Sequence, residues 1–122
     1  MSLLFPEELA DLEEQLLAGL SAVEDRLLVQ IVSDYELADI TGRHLVEAGG
    51  KRFRPLLVLL ASHFGDPNTE KVVPSAVVVE LTHLATLYHD DVMDEATLRR
   101  GTESANSRWG NTVAILSGDF LF

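Results

Sequence analysis

A chain of 122 residues makes one domain or part of a larger one, since compact domains usually run to about 100 to 150 residues. Asp and Glu at 20 against Lys and Arg at 9 give a formal charge of −11, which argues against a nucleic-acid binder and its basic footprint. Zero cysteines remove disulfides, thiol nucleophiles and thiolate metal sites, leave carboxylate and imidazole as the metal-binding repertoire, and fit a cytoplasmic location.

The amino end, Met1-Ser2-Leu3-Leu4-Phe5-Pro6-Glu7-Glu8, lacks the basic leader and long apolar run of a signal peptide. The longest apolar run, Pro55 to Ala61, falls far short of the roughly 20 residues of a spanning helix. Apolar positions then recur at three and four, as in Leu9, Leu12, Leu16 and Leu20, so the chain reads as mostly helical, with no convincing strand. Pro6, Pro55 and Pro74 sit where first helical turns would begin, because a proline there forfeits no hydrogen bond. The expected elements are a helix from Pro6 to about Gly19, a second ending before Gly49-Gly50, a short apolar one from Arg54 to Phe64, and a long one from Val72 to Met93. Gly65-Asp66-Pro67-Asn68 makes a turn between the third and fourth. An irregular charged stretch follows, and a last helix begins near Trp109. It is still running at Leu121-Phe122 without a stop signal, so the chain is expected to be a truncated piece.

Chemistry concentrates at the end of the long helix. Asp90 and Asp94 project from one face a turn apart, with Asp91 about 100° around. Three carboxylates at a helix C-terminus repel one another and oppose the dipole, an arrangement that a hard divalent cation would relieve. Magnesium takes one or two carboxylates plus substrate phosphates, so the motif suits a bridged phosphate ester; a solvated acidic helix end is the ordinary alternative. His83 shares the face of Asp90 roughly 10 Å along the axis, although a lone histidine among leucines is more often a satisfied core residue. His89 lies off that face and reads as a supporting or structural residue. Gly49-Gly50-Lys51-Arg52-Phe53-Arg54-Pro55 joins two glycines to three cations before a helix start, where exposed N–H groups and forked guanidinium donors favour a diphosphate over a plain basic loop. Arg99-Arg100-Gly101 repeats that basic character on the other side of the aspartates.

Taken in order, Gly49 to Pro55, Glu80-Leu81-Thr82-His83, His89-Asp90-Asp91-Val92-Met93-Asp94, Arg99-Arg100-Gly101, Trp109-Gly110-Asn111 and Gly118-Asp119-Phe120 resemble the amino-terminal half of the trans-type prenyl diphosphate synthases, over about Leu37 to Phe122. The resemblance implies an all-α, antiparallel helical bundle of the isoprenoid synthase type, of which residues 1–122 form the amino-terminal part of a single domain. It implies a Mg²⁺-dependent prenyltransferase that condenses isopentenyl diphosphate with an allylic diphosphate, with roughly two or three ions per complete active site, acting as a cytoplasmic homodimer. Asp90, Asp91 and Asp94 match the first metal-binding, catalytic motif. Lys51, Arg54, His83 and Arg100 match isopentenyl diphosphate positions, and Arg99 matches an allylic diphosphate position. Ala85 and Thr86, one turn before the aspartates, match the chain-length pocket, and their small size implies a medium-to-long polyprenyl product.

Two features depart from the family pattern. Glu103 stands where relatives often carry proline. The second aspartate-rich motif and a further diphosphate-binding lysine fall beyond Phe122, so this polypeptide alone is expected to be inactive. A non-catalytic small or regulatory subunit of a heteromeric prenyl synthase is the alternative, and the intact lysine, arginine and aspartate set counts against it. A terpene cyclase would share the aspartates but lack reason for the Gly49 to Pro55 cluster, and a purely structural helical module would not bind diphosphates.

Overall fold

The computed structural model describes residues 3–122. A 3₁₀ turn, Glu7–Leu9, leads into α1, Ala10–Gln30, which runs past Gly19, where the sequence pattern suggested an end. The reason is packing: Gly19 lies against Leu59 of α3 (Phe53–Ser62), and a Cβ there would stand 3.0 Å from a Leu59 methyl carbon. This glycine therefore serves close helix contact, not chain termination. Leu16, Leu20, Val23 and Leu27 form one buried stripe along α1, the three-and-four spacing of a helix laid on a core. Each fully buried leucine is worth about 1.5–3 kcal/mol of desolvation.

α2 spans Glu36–Glu47, ending before Gly49 as expected. α4, Val72–Met93, matches the expected long helix and is the hub of the bundle, packing on α1, α3, α5 and α6. Its buried residues Ala76, Val77, Glu80, Leu84, Ala85, Leu87, Tyr88 and Asp91 spread over more than one face, as a helix with neighbours on several sides requires. Tyr88 ties α4 to α2, because its hydroxyl donates to the Thr41 carbonyl and accepts from the Leu45 N–H at 3.3 Å.

The stretch after α4 departs from the sequence reading, which found no strand. β1 (Leu98–Arg99) and β2 (Thr102–Glu103) pair antiparallel, Leu98 opposite Glu103 and Arg99 opposite Thr102. Two-residue strands are too short to leave an alternation signal. Arg100 and Gly101, at φ 55° and 76°, make the turn, and positive φ at both central residues is what a type I′ hairpin needs. The His44 ring anchors the hairpin to α2 by donating from Nε2 to the Glu103 carbonyl at 2.6 Å.

The expected last helix, from near Trp109, is preceded by a short helix in the stretch read as irregular. α5, Ala105–Trp109, is capped by Ser104, whose Oγ accepts from the Ser107 N–H at 3.3 Å and donates to the Ala96 carbonyl at 2.6 Å. Gly110 at φ 90° breaks the chain before α6, Asn111–Leu121. α6 approaches α4 closely at Gly118, where a Cβ would come within 2.4 Å of His89 Nε2. The His89 Nε2 lies 3.0 Å from the Ile115 carbonyl, to which it donates, and 3.2 Å from Asp119 Oδ1. Its structural role on the α6 side agrees with the reading of this histidine as a supporting residue. Among the described residues no helix is long and apolar enough to cross a membrane.

Candidate anion and metal site

The basic loop is built around one buried guanidinium. Gly49 and Gly50 turn the chain at φ 84° and 148°, and Arg52 at the N-cap of α3 is left-handed at φ 52°, a conformation costing a non-glycine residue roughly 1–2 kcal/mol. Contacts of its side chain offset that strain. Arg52 Nε donates to Glu24 of α1, Nη1 to Glu80 Oε1 at 3.1 Å, and Nη2 to the Val46 carbonyl at 3.1 Å. Only 5% of the residue remains exposed. With Arg52 turned inward, Lys51 and Arg54 on either side of it are exposed.

Arg100 reaches the same place from the hairpin. Its Nη1 donates to the Leu45 carbonyl at 3.1 Å and to the Gly49 carbonyl, and its Nη2 lies 3.9 Å from Glu80 Oε1. Both guanidiniums thus sit on carbonyls at the end of α2, those of Val46 and Leu45, where the negative pole of the helix favours cations. Gly50 has to be glycine for this, since a Cβ would stand 2.9 Å from Arg100 Cζ. Burial lowers the proton affinity of Arg100, and the neighbouring charge of Arg52 adds to the effect; the guanidinium stays charged at physiological pH.

Arg54 Nη1 lies 3.2 Å from His83 Nε2. Guanidinium can only donate, so Nε2 accepts and the ring proton resides on Nδ1. Burial, then the charges of Arg54, Arg100 and Arg99, push the His83 imidazole below its ordinary value, which keeps it neutral. Lys51, Arg52, Arg54, His83, Arg100, Phe53 and Glu80 line a cavity of about 230 Å³. Four cations face one lining carboxylate there, a local reversal of the chain's overall negative charge. The structure therefore brings together Lys51, Arg54, His83 and Arg100. Sequence reasoning counted Arg52 among the three cations facing an anion, whereas it is buried and paired, and it gave no role to Glu80 or Glu24; the available signal was a lone glutamate, Glu80, set among apolar residues one turn before His83.

The acidic end is arranged less symmetrically than its spacing suggests. Asp91 is buried, and Arg99 grips it, with Nε 3.0 and 3.2 Å from the two carboxylate oxygens and Nη2 2.5 Å from Oδ1. The hydrogen bond to Asp91 raises the already high proton affinity of Arg99. Asp90 is half-buried and Asp94 exposed, and neither is in an ion pair with a described cation. Among the described residues no three acidic or imidazole groups converge as a ready metal cage. The donor set still fits a hard cation, because Asp90 and Asp94 offer two carboxylates on one helix face and magnesium completes its shell with water and phosphate oxygens.

Ala85 and Thr86 differ in placement. Ala85 is fully buried within the core, its carbonyl 3.1 Å from where a Gly118 Cβ would stand. Thr86 is half-buried, its hydroxyl donating to the His83 carbonyl at 2.6 Å.

The family model for polyprenyl synthetase matches residues 36–122. The nonaprenyl diphosphate synthase of Mycobacterium tuberculosis is 50% identical over 105 residues, which are 85% of this chain and 31% of that protein. Among solved structures, the heptaprenyl diphosphate synthase of Staphylococcus aureus superposes with a TM-score of 0.84 at 41% identity, over 87% of this chain and 34% of that one. The geranylgeranyl pyrophosphate synthase of Corynebacterium glutamicum, crystallised with calcium and isoprenyl diphosphate, gives a TM-score of 0.74 at 53% identity, over 91% of this chain and 33% of that one. The chain spans about a third of the length of the curated relatives it matches.

Proposed function

The chain belongs to the polyprenyl synthetase family, and from that premise we propose that it carries the isopentenyl diphosphate cradle and the first aspartate-rich motif of a trans-polyprenyl diphosphate synthase. The observation that carries this reading is the convergence of Lys51, Arg54, His83 and Arg100 on one small cavity. Charge-assisted donors from three separate elements fit the several oxygens of a diphosphate, whereas a single phosphate would leave some of them unused. Arg54 and Arg100 offer forked guanidiniums, Lys51 a mobile point charge, and neutral His83 a hydrogen-bonding edge held by Arg54.

In the reading, Asp90 and Asp94 would hold Mg²⁺ at the allylic diphosphate, with Asp91 and Arg99, paired to each other, completing the motif behind them. Asp90 and Asp94 are the carboxylates open to a cation; Asp91 and Arg99 neutralise each other at the base of the site. The calcium and isoprenyl diphosphate bound to the Corynebacterium glutamicum relative support a divalent ion beside a diphosphate. Bound magnesium supplies charge neutralisation to a departing diphosphate. The chain's own residues hold isopentenyl diphosphate at a fixed distance and orientation. The allylic carbon–oxygen bond breaks, the isopentenyl alkene forms a bond to that carbon, and the diphosphate released takes the proton lost from the new cation. Positioning and fixed charge are the protein's contribution.

The side chains at the chain-length positions, Ala85 and Thr86, are small, which supports a medium-to-long product. A homodimer in the cytoplasm belongs to the same reading, and exposed apolar side chains on α6, Leu116, Phe120 and Ile115, provide surface for assembly.

Titration calorimetry of the chain with isopentenyl diphosphate, with and without Mg²⁺, tests the cradle. Saturable heat for the natural sequence and its loss in Arg54→Ala are expected; equal, negligible heats for both would overturn the assignment. Transfer itself is tested with a chimera in which this chain replaces the matching third of the Mycobacterium tuberculosis relative. Incorporation of labelled isopentenyl diphosphate, abolished by Asp90→Ala, is the expected result.

A further inference from the structure

We propose that Glu80 is a positioning residue for the diphosphate cradle, holding Arg52 and Arg100 in the arrangement that presents Lys51, Arg54 and the free edge of Arg100 to one anion. The proposal rests on the reading of the cradle given above and assigns a role to a side chain that does not itself meet the substrate. Glu80 is 2% exposed and shares its stretch of α4 with buried Ala76, Val77 and Leu84. A carboxylate in such surroundings is costly unless it is paired and hydrogen-bonded. Burial accordingly pushes its proton affinity up, while Arg52 and Arg100 pull it back.

The two partners come from different parts of the chain. Arg52 begins α3 and Arg100 sits in the β1–β2 turn, yet Glu80 Oε1 is 3.1 Å from one guanidinium and 3.9 Å from the other. Both guanidiniums also rest on the last carbonyls of α2, through Val46 and Leu45. Two like charges sharing so small a space repel, and Glu80 is the carboxylate set between them. Arg52 is fully engaged, with α1 supplying Glu24, α2 the Val46 carbonyl and α4 Glu80. Its role is to anchor a loop with three positive-φ residues, Gly49, Gly50 and Arg52, and so to aim its neighbours Lys51 and Arg54 outward. Glu24 lies outside residues 36–122 matched by the family model, so α1 adds to the support of the cradle from beyond the recognised span.

A charge-balancing role and a positioning role predict opposite signs. Glu80→Gln removes a negative charge from the cradle, so a residue that merely balances charge would leave diphosphate affinity unchanged or tighten it. Loss of positioning weakens it by about ten- to a hundredfold, the scale on which misplacement of a binding group by an ångström acts. Arg52→Lys keeps the charge but cannot span Glu24, Glu80 and Val46 at once, and should weaken binding in the same direction. The experiment is calorimetric titration of the chain with inorganic diphosphate and with isopentenyl diphosphate, for the natural sequence, Glu80→Gln, Arg52→Lys and Arg54→Ala, each checked for helical circular dichroism. Weakening in both Glu80→Gln and Arg52→Lys supports the proposal. Equal or tighter binding by Glu80→Gln, with Arg54→Ala still impaired, overturns it and leaves the cradle standing. No binding by the natural sequence overturns the cradle and the proposal together. Should Glu80→Gln lose its helical signal, Glu24→Gln at the solvent side of Arg52 decides, and unchanged affinity there overturns the proposal.

Discussion

Arg99 closes over Asp91 in a forked ion pair whose two halves are unequally placed, the aspartate side chain 2% exposed and the arginine 30%. The pair is therefore asymmetric in what its loss costs. Removing the arginine strands a buried carboxylate, whereas removing the aspartate frees an arginine that can reach water. Arg99→Leu should destabilise the chain by about 2–4 kcal/mol, read as a lower urea midpoint at constant slope, and adding Asp91→Asn to it should recover part of the loss.

Tyr88 gives a pH signature. Burial pushes its phenol up to about 12, against the hydrogen bond from the Leu45 N–H, and an unfolded tyrosine titrates near 10. The folded state holds the phenolic proton more tightly, so this contribution is complete below about pH 10 and is lost as pH rises towards 12. Denaturation series across that window should show stability falling in the natural sequence and a flatter dependence in Tyr88→Phe. The variant should also lose about 1–3 kcal/mol at neutral pH, because the buried bonds of the hydroxyl to the Thr41 carbonyl and the Leu45 N–H are removed.

His83 acts at the opposite end of the scale. With its imidazole depressed by burial and by Arg54, Arg100 and Arg99, and opposed only by Asp90, the folded state favours the neutral ring. That stability is present above about pH 6.5 and is lost as pH falls through the lowered value. His83→Gln should remove this component, so the difference in unfolding free energy between natural sequence and variant should shrink on acidification from pH 7 to 5. A constant difference would contradict the assignment of a neutral, Arg54-bound ring.

Gly118→Ala tests the seam between α4 and α6. The added methyl would meet His89 Nε2 at 2.4 Å and the Ala85 carbonyl at 3.1 Å; the ring can swing away, the backbone carbonyl cannot. A destabilisation of about 1–3 kcal/mol is expected, visible as a lower melting temperature, and His89→Ala in the same chain should relieve only part of it.

Much of the fold was legible because Pro74 and the turn at Gly65 to Asn68 mark the start of α4 and Gly49-Gly50 the end of α2, and because Lys51, Arg54, His83 and Arg100 occur in short recognisable runs. What escaped depended on contacts between distant segments. Gly19 looks like a helix end until Leu59 is set against it. The hairpin carries too few residues to alternate, and α5, five residues long, is too short to show a helical period. Helical spacing put the three aspartates within reach of one ion, but Asp91 turns to Arg99, a choice decided by an arginine eight residues on. Arg52, Glu24 and Glu80 hide for the same reason: a charge network across α1, α3 and α4 has no local pattern.

Arg99 and Arg100 are neighbours in the chain, yet one ends on α4 and the other on the close of α2. The tight ribbon between Leu98 and Thr102 thereby acts as a gauge that deals consecutive guanidiniums to two different walls. Adding or deleting a residue within it would rotate each arginine away from its own wall, whatever amino acids were used. Loop length in this segment is consequently a stricter requirement than loop composition, and homologous chains should vary its flanks before they vary its count.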